Sequence, residues 1–496
     1  MKTIRILGLG LVLASVAPMA GAVEWDGSSS TAWDTGDNWV GGIAPVGGEA
    51  ILFDTNSLAN LGTVLGGDLG ISGLTVWRPV GNVLIGSNTL TVGAGGIDLS
   101  QSIRDLTIGS ALTMSAAQGW TVTNGRTLTV SGAVNNGGFL LSVTGGGAVA
   151  LSGVLSGSGG LTYRGPGTMT LGGNNAAFSG PVTVVGTTIH GATLVANATN
   201  ALGSGPISVS GTARVQVNNA GYLPAAGSVT LTSGGSLLAN YANAGQTELD
   251  TIAGAGSTYG FLLLGGGTTS DLDFSSHAGV SLGASGSYTY GGVITPEGST
   301  YRLGGGNVAY FFSGNTGLTV TNLTGARNVA VSGTGLVTFA ASNDYTGNTT
   351  ISNRGVVRVD GNHFGTIPVT PVANNITLDD GVIRFGPATW SFHANQGITL
   401  AAGGGELHPW STANITFSNS LSGPGGWWRT DSGTTTFAAS NSFAGAVSNL
   451  SGGTVNFNAD GALGLGSGMF QGAGTMNVNA QTPAYAGAIA IQTSTL

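Results

Sequence analysis

Asp271 and Asp273 stand at i and i+2, a spacing that puts two carboxylates on one face of a strand, and Glu248 and Asp250 repeat it. Paired carboxylates can hold Ca²⁺ or divide acid and base work on a glycosidic bond. Neither pair has a basic residue close in sequence, which favours reading both as solvated strand ends. Arg354 and Arg358, four apart around Gly355, would share a strand face and could clamp a sugar acid, although exposed arginines on a lysine-free surface are the simpler account. The five histidines, His190, His277, His363, His393 and His408, lack ligand spacing. With no Cys, no H-E-x-x-H, no P-loop and no G-x-S-x-G elbow, no catalytic residue, metal or cofactor is expected. Trp390, Trp410, Trp427 and Trp428 would form a glycan-stacking strip on an outer face, or else core and cap packing, the commoner fate of an indole.

Composition limits the elements that could position these side chains. Of 496 residues, 91 are Gly, 14 are Pro and 7% are charged, yet 41% are apolar. That is too apolar for disorder, and Gly lacks the three-residue period of collagen. Lys2, Arg5, the apolar run from Ile6 to Val16 and the triplet Ala20-Gly21-Ala22 read as a secretory signal peptide, residues 1–22, cleaved after Ala22. The run is too short to span a bilayer, and no later run is long enough for a transmembrane helix. Removing it takes two positive charges from a chain whose formal net charge is already −8, which makes nucleic acid a poor partner. Beyond it, Leu74-Thr75-Val76-Trp77, Thr89-Leu90-Thr91-Val92, Leu128-Thr129-Val130, Thr168-Met169-Thr170-Leu171, Val229-Thr230-Leu231 and Ile398-Thr399-Leu400 alternate Thr with apolar residues, the period of a half-buried strand. Gly-Gly, Asn-Gly, Asn-Asn and Ser-Gly pairs punctuate them, as sharp corners require.

One unit recurs three times: Asn175-Ala-Ala-Phe178-Ser-Gly180, Asn343-Asp-Tyr345-Thr-Gly347 and Asn441-Ser-Phe443-Ala-Gly445, each preceded by a Gly-rich strand pair. The copies close on Ala201-Leu202-Gly203, His363-Phe364-Gly365 and Ala462-Leu463-Gly464. A unit of this size cannot bury its own apolar face, so copies must stack and share a core. The expected fold is all-β: an elongated right-handed parallel β-helix, or β-solenoid. Phe178, Tyr345 and Phe443 should be buried at equivalent corners, with Gly180, Gly347 and Gly445 turning the chain just after, and the corner Asn is expected to build an amide ladder. Trp25, Trp33 and Trp39 are expected to seal an N-terminal cap over 23–55, ahead of a β-helix over 56–480 with copies near 155–210, 331–386 and 421–478 and a tail, or the start of a further region, at 481–496.

The block from Gly157 to Ser210 resembles the autotransporter-associated beta strand repeat, whose pattern reads roughly G-x-G-x-L…G-x-G-T-x-T-L-x-G…N-x-Y/F-x-G…T-x-V…G-x-L…A-L-G. The second copy departs at Val337-Thr338-Phe339 and the third at Trp427-Trp428. The N-terminal stretch from Trp25-Asp26-Gly27 to Ile51-Leu52-Phe53 is similar to the segment that opens such proteins. The resemblance implies a bacterial β-solenoid, secreted or displayed on the outer cell surface, with no catalytic or cofactor residue to carry over. The expectation is thus a non-catalytic structural or adhesive protein contacting surface glycans, matrix or other cells through many weak contacts. The alternative is a polysaccharide-active β-helix lyase or hydrolase, which should show at least three ionisable side chains from neighbouring rungs lining a groove.

Overall fold

The computed structural model describes residues 21–187, 191–305, 317–340, 343–450, 452–466, 468–471, 474–479 and 489–492. Residues 1–20 of the expected signal segment 1–22, His190 and most of the stretch 481–496 lie outside them. The fold is a parallel β-solenoid with almost no helix. Contacts divide the chain into two compact units, up to Gly153 and from Val154 onward.

In the first unit the strands Ala50–Phe53, Leu69–Val76, Thr89–Leu99, Gln118–Val122 and Leu141–Thr144 pair in parallel, rung on rung. A second sheet runs through Gly62–Val64, Val83–Gly86, Leu106–Ile108 and Thr127–Val130. Thr and apolar residues alternate out and in: in Ala111–Met114 and Thr127–Val130 every second residue is buried. Over the first rungs sit Trp25, Trp33 and Trp39, all buried, packed edge to face at 5.0 and 5.3 Å and resting on Phe53. Asn38 ties this cap together, its Oδ1 accepting the amides of Ser29 and Ser30 and its Nδ2 donating to the Ala32 carbonyl.

In the second unit one sheet is continuous through Arg214–Val217, Gly235–Ala239, Gly260–Leu264, Val280–Ala284, Thr300–Leu303, Asn328–Ser332 and Thr349–Ser352. Its place in the coil changes along the way. Strands Arg214–Val217 and Gly235–Ala239 follow the corners at Gly211-Thr212 and Ser233-Gly234, whereas Asn328–Ser332 and Thr349–Ser352 precede the corners at Gly333-Thr334 and Asn353-Arg354. At the changeover the ladder narrows to the pair Leu282 and Leu303. Further on, Phe392, Phe417, Phe437 and Phe457 share one register column and stack at 4.9, 5.1 and 5.4 Å, an aromatic spine inside the coils.

The three copies are chemically equivalent. Asn175, Asn343 and Asn441 are buried, and each accepts the amide of the preceding rung, at Leu155, Leu323 and Leu421, while donating to the carbonyl of the following one, at Ala201, His363 and Ala462. They bridge backbones and do not ladder with each other; side-chain amides pair from rung to rung elsewhere, as at Asn197, Asn218 and Asn240 and at Asn456 and Asn477. The left-handed corner is also displaced from expectation. Gly203, Gly365 and Gly464 have φ of 73°, 73° and 72°, while Gly180, Gly347 and Gly445 do not lie in the left-handed region. These last three are glycine because the backbone of the preceding rung occupies the space a Cβ would need.

Candidate functional site

Phe178, Tyr345 and Phe443 are fully buried, and the Tyr345 hydroxyl meets Thr349 Oγ1 at 2.5 Å. They are packing residues, each lying under the glycine that closes its copy: a Cβ at Gly464 would fall 2.6 Å from the Phe443 ring, and one at Gly365 3.0 Å from that of Tyr345.

The four candidate stacking tryptophans have different fates. Trp427 is 1% exposed, stacked on Phe437 at 5.0 Å, and offers no face to a ligand. Trp390 packs against Phe385 and Phe392 beside the aromatic spine. Trp410 and Trp428 are half-buried, the first covered by the Arg358 guanidinium at 4.9 Å and the second donating Nε1–H to Glu406 at 3.2 Å. Period 2 explains the split of the adjacent pair, because neighbours on a strand face opposite sides.

The carboxylate pairs are engaged locally. Asp271 accepts the Val293 amide and Asp273 the Ser275 amide. Glu248 and Asp250 do not share a strand face. They lie on the helix Gln246–Asp250, where i and i+2 point apart; Glu248 is buried and binds Tyr241 Oη and the Gly245 amide, a capping role. Arg354 and Arg358 likewise part company: Arg354 sits at a corner with φ 64°, and Arg358 lies on Val356–Val359 beside Asp360 at 3.3 Å. His277 is buried against the Ile252 carbonyl, His393 accepts the Asn395 amide and His363 is half-buried, its pKa lowered by burial against the pull of Asp360. Among the described residues no group of three or more His, Asp or Glu is placed to hold a metal.

Stacking assembles a cluster that linear spacing conceals. Arg358, Arg384 and His408 occupy one register column, and Glu406 and Trp428 the column beside it. His408 lies between two carboxylates, Nδ1 3.2 Å from Glu406 and Nε2 3.4 Å from Asp431, with Thr430 Oγ1 2.6 Å from Nδ1. Thr430 also donates to Glu406. Burial opposes ionisation of Glu406, but hydrogen bonds from His408, Thr430 and Trp428 overcome it and hold the carboxyl below its ordinary range. Burial pulls Arg384 the other way, lowering its pKa, partly offset by Glu406 and Asp431. Ionisable side chains from neighbouring rungs thus meet, but not along a groove as the enzyme alternative requires: Glu406 and His408 are 3% and 7% exposed and engage each other, Thr430, Trp428 and Asp431. The arrangement clamps neighbouring rungs. The signal was available: these partners recur 22 and 24 residues apart, one coil length.

That clamp has a pH signature. A carboxyl held low in the folded state contributes stability that is complete above the unfolded carboxylate range and disappears as pH falls through the folded value. Urea midpoints of the native chain and Glu406→Gln should therefore differ most near neutrality and converge on acidification; a gap constant from pH ~7 down to ~3 would rule the clamp out.

A second outer-face feature escaped the motif search. Trp77 follows Thr75 with period 2 and is half-exposed, Arg78 lying 5.3 Å from its ring. It borders a cavity of about 280 Å³ with Asp54, Asp98 and Gln101. Beside it burial and a hydrogen bond to Asp54 push the Glu24 carboxyl up to about 7.

Over 132 residues, a quarter of this chain, the sequence is 31% identical to the adhesin BmaC autotransporter of Brucella suis biovar 1 (strain 1330), and the match spans 4% of that protein's length. No family model matches the chain and no solved structure matches it. Among the described residues no helix is long and apolar enough to cross a membrane.

Proposed function

We propose that this chain is a non-catalytic structural and adhesive β-solenoid of a bacterial cell surface or its surroundings, built on the autotransporter-associated beta strand repeat. The observation that carries the reading is the rung-on-rung parallel pairing in both units together with similarity to an autotransporter adhesin. A stack of rungs that alternate Thr with apolar residues presents a polar face repeatedly, so contacts that are individually weak add through avidity. Export by the signal segment and partners among glycans, matrix or other cells belong to the same proposal.

The test is retention on bacterial or host-cell surfaces of the purified chain, coupled to beads at high density and compared with the free chain. Beads should be retained and the free chain washed off, with little change on adding a chelator and a modest one at ~0.5 M salt, since the outer face is rich in Thr, Ser and Asn. Equal failure of beads and free chain would remove the adhesive reading.

One observation favours the second reading, a polysaccharide-active enzyme: the Glu24 and Asp54 carboxyl pair beside the Trp77 cavity, with one member poised near neutrality. Depolymerisation of a polysaccharide that disappears in Glu24→Gln would establish it in place of the first.

A further inference from the structure

At the changeover of the continuous sheet, two sets of corners face the same strip of outer surface. The earlier corners contribute Arg214 and Ser233-Gly234, and the later ones contribute Gly333-Thr334 and Asn353-Arg354. Between them lies a cavity of about 410 Å³ floored by Tyr259 and Phe261. Phe261, Leu238 and Leu263 form an apolar cluster on the outer side of strands whose residues are buried on both faces, and Tyr259 packs on it edge to face at 5.3 Å from Phe261. The later corner can approach this floor only because it is glycine: a Cβ at Gly333 would lie 2.6 Å from the Phe261 ring, at φ 79°.

The lining is chemically one-sided. Among the described residues it holds two arginines, two aromatic rings and several hydroxyls but no carboxylate, in a chain with formal net charge −8 and only 13 Lys and Arg. Arg214 projects from its strand and is half-buried, which lowers its pKa and strengthens any hydrogen bond it makes to an anion. Arg354 holds φ 64° at a corner where this chain ordinarily places Gly or Asn, a left-handed conformation that strains a residue bearing a Cβ. On the next rung Asp379 is engaged by the Gly403 amide, and neither it nor Asp380 reaches the lining.

We propose that this cleft binds the carboxylate-bearing sugars of an acidic glycan. The proposal rests on the adhesive reading and names its ligand class. Planar guanidinium forks match carboxylate oxygens two by two, and the half-buried Tyr259 ring, held edge to face by the buried Phe261, is the aromatic surface a sugar ring can meet. The volume suits a short stretch of a glycan chain. The cleft would add one charged, specific subsite to the many weak contacts of the polar Thr and Ser rungs.

Titration calorimetry of the full chain with trigalacturonate tests it, with maltotriose as the neutral probe and a sulfated heparin oligosaccharide and inorganic phosphate as the other anions. Trigalacturonate should bind and the other three should not compete at equal concentration. Arg214→Gln and Arg354→Gly should each weaken binding about tenfold or more. Glycine suits φ 64°, so Arg354→Gly leaves the fold intact, and Arg354→Lys should restore binding only in part. No trigalacturonate binding, unchanged affinity in the double variant, or equal binding of maltotriose, phosphate or the sulfated probe would each overturn the proposal. Surface retention separates the two readings: retention without trigalacturonate binding removes the cleft alone, and binding without retention keeps the cleft and removes the adhesive reading.

Discussion

Truncating Phe178 to Ala should destabilise its part of the second unit by about 3 to 5 kcal/mol, as for a buried aromatic whose neighbours cannot collapse. The side chain is fully buried, and the corner of the next rung, Gly203 at φ 73°, lies against its ring. Around it Asn175 fixes both adjoining rungs, so neither can move in to fill the void. Phe443→Ala, under Gly464 and Asn441, should cost a similar amount. Because each rung touches mainly its neighbours, the loss should appear as local opening, measurable by amide exchange in 155–210 for Phe178 and in 421–466 for Phe443, with little change elsewhere. Exchange unchanged around both sites would mean that the copies are not equivalent packing units.

The Thr and aliphatic alternation was enough to locate strands such as Thr127–Val130 and Thr168–Leu171, because a strand with one wet face writes its period into the sequence. The copies were legible for the same reason, since a corner needs specific residues at fixed offsets. Which glycine turns the chain was not legible. Gly180 and Gly203 are both obligatory, one for space and one for φ, and composition does not distinguish those needs. Strands buried on both faces were missed too. In Gly260–Leu264 and Gly405–Pro409 the outward residues are covered, so the pattern is continuous and the period vanishes. The charged clamp and the arginine cleft share a deeper cause. Their members meet because coil lengths bring distant residues into one register, and the cleft also needs the sheet to change its place in the coil, which no local window of sequence contains.

Arg429→Met should cost about 3 to 5 kcal/mol, as much as removing a buried aromatic from these C-terminal rungs, although Met is apolar and fits a core. Arg429 points inward on the strand Trp427–Arg429, in register with Leu407 below and Asn449 above, and is 0% exposed. Burial pulls its pKa down to about 10, against the attraction of Asp431. The guanidinium is nonetheless well satisfied. Nε donates to Thr435 Oγ1 at 3.2 Å, Nη1 to the carbonyls of Asp431 and Gly452 and to Asn449 Oδ1, and Nη2 to the Gly433 carbonyl. Three of these acceptors are backbone carbonyls of corners, of which that of Gly433 also takes the Thr454 amide. Removing the guanidinium strands several acceptors at once, and each buried orphan costs about 1 to 3 kcal/mol before any local rearrangement. Arg429→Lys should recover only part of the loss, since one ammonium cannot reach carbonyls that a planar fork spans. Urea unfolding monitored through the neighbouring indoles, together with amide exchange over Gly433 and Gly452, reads the effect directly. A Met variant as stable as the native chain would show that the corners hold without this side chain and that the arginine is retained for some purpose other than stability.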